Sequence, residues 1–323
     1  MITVSTWIFT HGDSDGICAG ALALAANTGA RVFFTHPVGL GGDLKHVEAG
    51  GEVIICDIAL NEDDLNNTLG IMKILASKGR LVYIDHHPLP PTLAPSEIPG
   101  RVLHSTRLCA SELTFRAFRR VLPEEMSRVA MFGAIGDYAD NTPLIKELLR
   151  SWDKRALYME AGILIQGILG SKRDYDFKRA ILNQLSRNSL PSQNRRLVTL
   201  ALAEAAEDED LRLRVKENVE TVGGVAYVLD IEGSIAKAAI YARASAKAKV
   251  GIAGETRGEF IDMSLRAPGE KIDLNKILRS ITQKYRGTGG GHALAAGARV
   301  PKIHFKEFIA DIAAYIEGDP TCG

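Results

Sequence analysis

Short apolar runs alternate with stretches of helical spacing in the first half of the chain. The apolar runs predict strands at residues 7–10, 31–36, 52–56 and 80–84. The stretches with helical spacing predict helices at about 17–27, 63–78, 110–121 and 123–137. Uninterrupted apolar runs such as VIIC are typical of strands buried on both faces. Strands separated by helices favour a parallel α/β sheet.

The second half begins with a helical, increasingly charged stretch at about 144–222, after which strand patterns return. The later strands are predicted at 225–230, 248–253 and 259–265, with helices at about 234–246, 274–284 and 305–316. The predicted fold class is α/β, a parallel-sheet domain and a smaller mixed-sheet α/β C-terminal domain joined by a helical connector. The predicted bounds are 1–185, 186–220 and 221–323.

Composition places the chain among ordinary globular proteins. Of 323 residues, 46% are apolar and 24% charged, and 39 basic side chains balance 39 acidic ones. Zero net charge argues against a protein that coats a DNA duplex, so nucleic-acid contacts are expected within a groove. The cysteines form no CxxC pair, and Cys18, Cys56 and Cys109 are predicted as buried apolar residues, unlike Cys322. We expect a cytoplasmic protein without signal peptide or membrane span.

Acidic and histidine side chains follow the predicted strands. They are His11, Asp13 and Asp15 after the first strand, Asp57 after the third, Asp85, His86 and His87 after the fourth, and Asp137 after a later apolar stretch. A single strand-end aspartate is more often a turn residue or a helix cap. In open α/β sheets, however, ligands bind beyond the carboxyl ends of the strands. Four such segments together predict a metal site.

Electrostatics favours cations at this site. Each close pair of carboxylates repels by up to about 4 kcal/mol at an effective dielectric of about 20. Two divalent ions would balance the charges of Asp13, Asp15, Asp57 and Asp137. A mixture of carboxylate and imidazole ligands without thiolate suits Mn²⁺ better than a structural zinc.

A glycine-rich segment, TGGGHALAAGA at 288–298, is a second candidate site. Consecutive glycines allow backbone N–H groups to approach an anion, and ALAA is predicted to begin a helix whose N-terminus favours negative charge. Arg266 and His292 would add charged contacts to a phosphate. The predicted substrate-binding residues are Arg266, Gly289, Gly290, Gly291 and His292.

These motifs together resemble a known family. HGDSDG, the strand-end Asp57, Asp85-His86-His87 and GAIGDYAD resemble the successive motifs of the DHH phosphoesterase superfamily. FIDMSLRAPGE followed by TGGGHALAAGA resembles the glycine-rich signature of its DHH-associated C-terminal domain. The resemblance spans nearly the whole chain in the right order, and the compact HGDSDG is similar to archaeal RecJ-like exonucleases. Some nanoRNase-like members instead have a longer spacer after the first histidine.

The resemblance implies a role for each residue of the cluster. One metal ion would be held by His11, Asp13 and Asp57, and the other by Asp15, Asp57, His86 and Asp137. Asp57 would then bridge the two ions. The implied catalytic residues are Asp85, which would orient an imidazole, and His87, which would face the substrate phosphate or the leaving oxygen.

The expected function is a Mn²⁺-dependent single-strand exonuclease or oligonucleotide phosphodiesterase that releases mononucleotides. Its substrate would be single-stranded DNA or RNA, or short oligonucleotides, and its partner a repair or replication protein. The chain would act as a monomer or homodimer. One alternative is a phosphoesterase for small nucleotides, either a cyclic dinucleotide or 3′-phosphoadenosine 5′-phosphate. Another is a non-catalytic nucleic-acid or repair adaptor, which would show eroded metal ligands. Soluble pyrophosphatases share the first four motifs but carry a different C-terminal domain.

Overall fold

The chain folds into two compact units, Met1–Glu204 and Ala205–Gly323. The computed structural model describes residues 5–48, 50–269 and 271–318, so the predicted environment of Cys322 lies outside the described residues. Helix α9 (Arg195–Asn218) contains the point at which the two units divide. Within the described ranges, no helix combines the length and the apolar character needed to cross a bilayer.

The first unit is built on a parallel sheet, as predicted, which has five strands in the order β2-β1-β3-β4-β5. Its strands are β1 (Thr6–Thr10), β2 (Arg31–Phe34), β3 (Glu52–Cys56), β4 (Arg80–Asp85) and β5 (Arg101–His104). The edge strand β5 was not predicted, because its four residues are partly exposed and show no apolar run. The order places β1 between β2 and β3, so the turn after β1 lies beside the ends of both neighbouring strands.

Helices cover both faces of this sheet. They are α1 (Ser14–Ala26), α2 (Leu40–Leu44), α3 (Leu65–Lys78), α4 (Ala110–Phe118), α5 (Ser127–Gly136), α6 (Pro143–Leu148), α7 (Lys154–Gly170) and α8 (Tyr175–Ser186). Alternate strand residues enter different cores, since Ile8 and Ile54 pack with α1, α4 and α5, whereas Phe9 and Ile55 pack with Met72 of α3. Burial on both faces explains the uninterrupted apolar runs.

The second unit contains a mixed six-stranded sheet in the order β10-β11-β9-β8-β7-β6. Its strands are β6 (Glu220–Val222), β7 (Val225–Leu229), β8 (Val250–Arg257), β9 (Phe260–Arg266), β10 (Thr288–Gly291) and β11 (Ala295–Pro301). Its further helices are α10 (Ile235–Ala246), α11 (Leu274–Ile281) and α12 (Phe305–Gly318). Strands β7 and β8 run parallel and the other pairs antiparallel, which confirms the predicted mixed sheet.

The glycine-rich segment does not begin a helix, and that prediction was wrong. Strands β10 and β11 form an antiparallel hairpin in which Gly289 pairs with Ala298. Ala296, Ala298 and Val300 are buried in alternation with exposed neighbours, a period of two that is typical of a strand. Pairing with β9 outweighs the helical preference of the alanines. Residues 220–222, expected to be helical, are likewise strand β6, which pairs with β7.

Candidate metal centre

The turn between β1 and α1 brings three of the predicted residues to the end of strand β1. Asp13 caps α1, because its Oδ1 accepts a hydrogen bond from the backbone N–H of Gly16 at 2.9 Å. Nδ1 of His11 lies 2.9 Å from Oδ2 of the same carboxylate. A Cβ on Gly16 would lie 2.5 Å from the carbonyl oxygen of His11, so the turn is as tight as glycine permits. Asp15 lies in the first turn of α1.

Asp15 is buried against the N-terminus of α4. Its two carboxylate oxygens accept hydrogen bonds from the backbone N–H groups of Ala110 at 2.7 Å and Ser111 at 3.0 Å. Unsatisfied N–H groups at a helix N-terminus stabilise negative charge. A helix 95 residues away in sequence therefore helps to hold this carboxylate in a buried position.

Asp57 follows β3 and lies at the middle of the cluster. It is 2% exposed, and within the described residues neither of its carboxylate oxygens has a hydrogen-bond donor. Its backbone has a φ of 59°, in the left-handed region that non-glycine residues rarely adopt. Burial, together with the charges of Asp13 and Asp15, raises the pKa of Asp57 well above its usual value. Such a carboxylate requires a cation or a proton.

Asp85 and His87 form a pair at the end of β4. Asp85 is fully buried, and its Oδ1 lies 2.9 Å from Nδ1 of His87. Its Oδ2 accepts the backbone N–H of His87 and lies 3.1 Å from the Tyr83 hydroxyl. Burial alone would raise the pKa of Asp85, but its hydrogen bond with His87 and that residue's charge hold it below the usual value. The carboxylate thus orients the His87 ring.

His86 connects three carboxylates. Its Nε2 lies 3.2 Å from Asp57 Oδ1 and 3.9 Å from Asp15 Oδ2, and its Nδ1 lies 3.5 Å from Asp137 Oδ2. Burial and the charge of Asp15 raise the pKa of Asp137 to about 7. Burial lowers the pKa of His86, but the charges of Asp15 and Asp137 raise it more, so the pKa of His86 lies above its usual value.

The structure brings all eight predicted residues of the first unit into adjoining groups. Their potential ligand atoms lie within 4.8 Å of one another in each of the groups His11, Asp13 and Asp57; Asp15, His86 and Asp137; and Asp57, Asp85 and His87. Asp57 belongs to two groups and also contacts His86 of the third. The side chains therefore form one continuous cluster.

The candidate residues of the second unit meet at one end of its sheet. Arg266 ends β9 opposite Ala295, and its Nη1 donates hydrogen bonds to Ser264 Oγ and the Leu265 carbonyl, each at 2.8 Å. The N–H of Gly291 donates to Asn275 Oδ1 at 3.2 Å, and that of His292 to the Ala295 carbonyl at 2.9 Å. These two N–H groups are thus used within the second unit, which corrects the predicted cradle at a helix N-terminus.

Comparison with known proteins addresses both units. Residues 194–318 match the family model of the DHHA1 domain. The second unit is therefore similar to the DHHA1 domain, as its glycine-rich signature predicts. No curated protein matches the sequence of this chain.

Three solved structures resemble this chain in fold. A DHH domain described as a member of the s1p family of ribosomal proteins has a TM-score of 0.72 at 18% identity, covering 97% of this chain and 86% of its own. RecJ from Thermus thermophilus in complex with Mn²⁺ has a TM-score of 0.70 at 17% identity, covering 98% and 52%. The pGpG-specific phosphodiesterase PggH from Vibrio cholerae has 0.60 at 14%, covering 98% and 99%. The present chain spans about half the length of that RecJ chain.

Divalent metal ions fit the donor set of this acidic and histidine cluster. Carboxylate oxygens and imidazole nitrogens are ligands that Mn²⁺ accepts, and the described cysteines are all buried elsewhere in the core. The decisive fit is Asp57, whose buried oxygens have no donor among the described residues. His86 Nε2 lies 3.2 Å from Oδ1, but burying a carboxylate whose oxygens accept no hydrogen bond is costly, and a cation removes that cost.

Two residues that support the acidic and histidine cluster were not predicted from the sequence. Lys178 of α8 is 8% exposed, and its Nζ donates a hydrogen bond to the carbonyl of Gly12 at 2.7 Å. His104 of β5 places Nε2 2.7 Å from the backbone carbonyl of His87. Lys178 is 166 positions from Gly12, so no local pattern reveals the contact.

Proposed function

We propose that this chain is a two-metal phosphodiesterase, and more narrowly a Mn²⁺-dependent exonuclease or oligonucleotide phosphodiesterase that releases mononucleotides from single strands. The observation that supports it best is the buried, donor-free carboxylate of Asp57 at the middle of the acidic and histidine cluster of described residues. Structural cores rarely retain such a group, because it destabilises the fold unless a cation is present.

The proposed ligands follow the observed groups. His11, Asp13 and Asp57 would hold one ion, and Asp15, Asp57, His86 and Asp137 the other. Two bound divalent ions supply a strong nucleophile from water at neutral pH and stabilise the charge of a phosphodiester under attack. The two N–H groups of α4 hold Asp15 in place for this role.

His87 has a separate role, set by Asp85. Because Asp85 lies against Nδ1 of His87, the opposite ring nitrogen is the one that would give a proton to the leaving oxygen. Asp85 itself does not touch the substrate, but it holds the ring in place. His104 holds the backbone of His87 through its contact with the His87 carbonyl.

Substrate binding would involve the second unit. Arg266 suits a phosphate because its guanidinium offers several donors, and it lies at the same sheet end as the Gly289–His292 segment. A protein of zero net charge is better suited to local contact with a flexible single strand of nucleic acid than to binding along a duplex. Small nucleotides are the rival substrates, favoured by the fold shared with PggH over almost the full length of both chains.

A direct assay separates these possibilities. Purified protein with Mn²⁺ would be tested on end-labelled DNA and RNA oligomers, a cyclic dinucleotide and 3′-phosphoadenosine 5′-phosphate. We expect mononucleotide release from single-stranded oligomers, loss of activity with a chelator, and weaker activity in Mg²⁺. Preferential hydrolysis of a small nucleotide would replace the exonuclease proposal, and no hydrolysis of any substrate would favour a non-catalytic adaptor.

A further inference from the structure

A pocket of about 350 Å³ opens beside the metal cluster within the first unit. One wall is the turn from His11 to Ser14, which also supplies two of the proposed metal ligands. The other walls come from the end of β2, from the last turns of α7 and from the start of α8. We call it the side pocket. Its volume falls within the range of small-molecule sites, about 300–1,000 Å³.

One side of the side pocket carries positive charge. Lys178 is nine-tenths buried there, with its ammonium on the Gly12 carbonyl at 2.7 Å. An ammonium has three N–H donors, so this bond uses one of them. Lys172 is exposed at the rim, and His36 lines the pocket from the β2 side. Cations beside an acidic metal cluster favour an anionic ligand that reaches both.

Another part of the lining of the side pocket is apolar. It is formed by Ile165, Ile168 and Leu169 of α7, and Leu169 is 39% exposed. Tyr175 adds an aromatic ring that is 46% exposed, lies 5.8 Å from the ring of Phe34 and has the Lys178 ammonium 5.7 Å from its centroid. A half-exposed aromatic ring beside apolar side chains is a stacking surface for a nucleobase. The pocket thus combines the two surfaces that a nucleotide requires.

We propose that the side pocket binds the nucleoside monophosphate unit adjoining the phosphodiester that is hydrolysed. The base would lie against α7 and Tyr175, and its phosphate would face Lys172 and Lys178. This inference rests on the proposed function and adds a reason for strand preference, because a base held in a pocket cannot remain paired in a duplex. His11 and Asp13 line both the cluster and the pocket, so one substrate reaches both.

The test is calorimetric titration of AMP into the full chain with Mn²⁺. Leu169→Trp fills the pocket and Lys172→Ala removes its rim charge, and both residues are exposed enough for the fold to tolerate the change. Each variant should weaken AMP binding by roughly tenfold or more, because Lys172→Ala loses a charge-assisted contact and Leu169→Trp occupies the space of the base. The matched control is Lys154→Ala, exposed at the opposite end of α7, which should bind AMP like the wild type.

Each outcome of the titration supports the side pocket or overturns it. AMP affinity that is absent in the wild type, or equal in all four proteins, overturns the side pocket. Inorganic phosphate that competes as tightly as AMP shows that the apolar wall binds no nucleoside, which also overturns it. Hydrolysis of bis(4-nitrophenyl) phosphate by the wild type is measured in parallel. Absence of Mn²⁺-dependent hydrolysis refutes the proposed function, and the AMP affinities still report on the pocket.

Discussion

Asp57 concentrates the unusual features of this protein at one residue. It is buried, it has no hydrogen-bond donor within the described residues, and it adopts a left-handed backbone conformation. Each feature costs stability on its own. Their coincidence at the end of β3, next to His86, indicates a position kept for binding cations rather than for folding.

Asp57→Asn is expected to remove at least about nine-tenths of the hydrolytic rate, about 1.4 kcal/mol in the barrier, since both proposed ions lose a ligand. Asparagine tolerates a positive φ, so the fold should persist. In chelator the variant should melt at the same temperature as the wild type or higher, because the buried carboxylate that requires a cation or a proton is gone. Thermal melts with and without Mn²⁺ measure this, and the stabilisation by Mn²⁺ should shrink.

The control for that variant is Asp63→Asn, an exposed aspartate before α3 that lies outside the cluster. This variant should keep the wild-type hydrolytic rate and the wild-type increase in melting temperature with Mn²⁺. An Asp57→Asn protein that keeps full activity would show that Asp57 does not bridge two ions.

Asp85→Asn tests the orientation of His87. The buried carboxylate is held by the His87 ring, its backbone N–H and the Tyr83 hydroxyl, so an amide would present the wrong group to at least one donor. We expect kcat to fall about 10- to 100-fold with little change in KM, as for other residues that orient a reacting imidazole. Steady-state kinetics on bis(4-nitrophenyl) phosphate measures the split. A change in KM alone would assign Asp85 to substrate binding instead.

At the scale of elements, the β1–α1 turn decides whether the cluster forms. It places the Asp13 cap, Asp15 in the first helical turn and His11 at the strand end close together in the chain. Lys178 of α8 holds this turn, because its Nζ donates a hydrogen bond to the Gly12 carbonyl. The turn depends on Gly16, where a side chain has no room.

Gly16→Ala should therefore open the turn. Its Cβ would lie 2.5 Å from the His11 carbonyl oxygen, which the backbone must move to relieve, and we expect about 1–3 kcal/mol of destabilisation. Because Asp13 and His11 move with the turn, the thermal shift produced by Mn²⁺ should also fall. Denaturant unfolding and thermal melts, each with and without Mn²⁺, measure the two effects.

Gly70→Ala is the matched control for the turn variant. Gly70 lies in the exposed middle of α3, and a Cβ added there would meet nothing within 4 Å, so alanine should stabilise the helix by about 0.5–1 kcal/mol. Equal behaviour of the two variants would show that the turn is not tight in solution.

At the scale of the whole molecule, the two units are proposed to divide the work. The first unit carries the acidic cluster, and the second carries Arg266 and the β10–β11 hairpin. The glycines of that hairpin have a packing role of their own, since a Cβ on Gly289 would lie 2.8 Å from Thr282 Cγ2. The charged residue is therefore the better probe of substrate binding.

Arg266→Ala should slow hydrolysis of oligonucleotides by about one to two decades, since a charge-assisted phosphate contact contributes roughly 1.5–3 kcal/mol. Hydrolysis of bis(4-nitrophenyl) phosphate should change far less, and the salt dependence on the oligomer should weaken because fewer counterions are released. Arg257→Ala, at the exposed end of β8, is the control and should leave both rates unchanged. Equal slowing of both substrates would assign Arg266 to the chemical step or to folding.

The sequence by itself determined the strands of the first unit's sheet other than β5, and the acidic residues at their ends. Local periodicity reports burial, and residues that follow parallel strands must meet at one edge. The sequence also assigned Arg266 and Gly289–Gly291 to one candidate site, and the pairing of β9 and β10 with β11 brings them to the same end of the sheet. Strand β5 escaped prediction because an edge strand with partly exposed residues lacks that periodicity.

Tertiary structure alone decided the contacts between distant segments. Asp15 takes its donors from α4, Lys178 reaches Gly12 from α8, and the GGGH segment pairs as a strand rather than entering a helix. Glycine has no side chain that could show a hydrophobic pattern, and alanine occurs in both helices and strands. Pairing with the neighbouring β9 therefore determined that this segment forms a strand. Hydrogen bonds between segments so far apart in sequence leave no local signature, because their geometry exists only once the chain has folded.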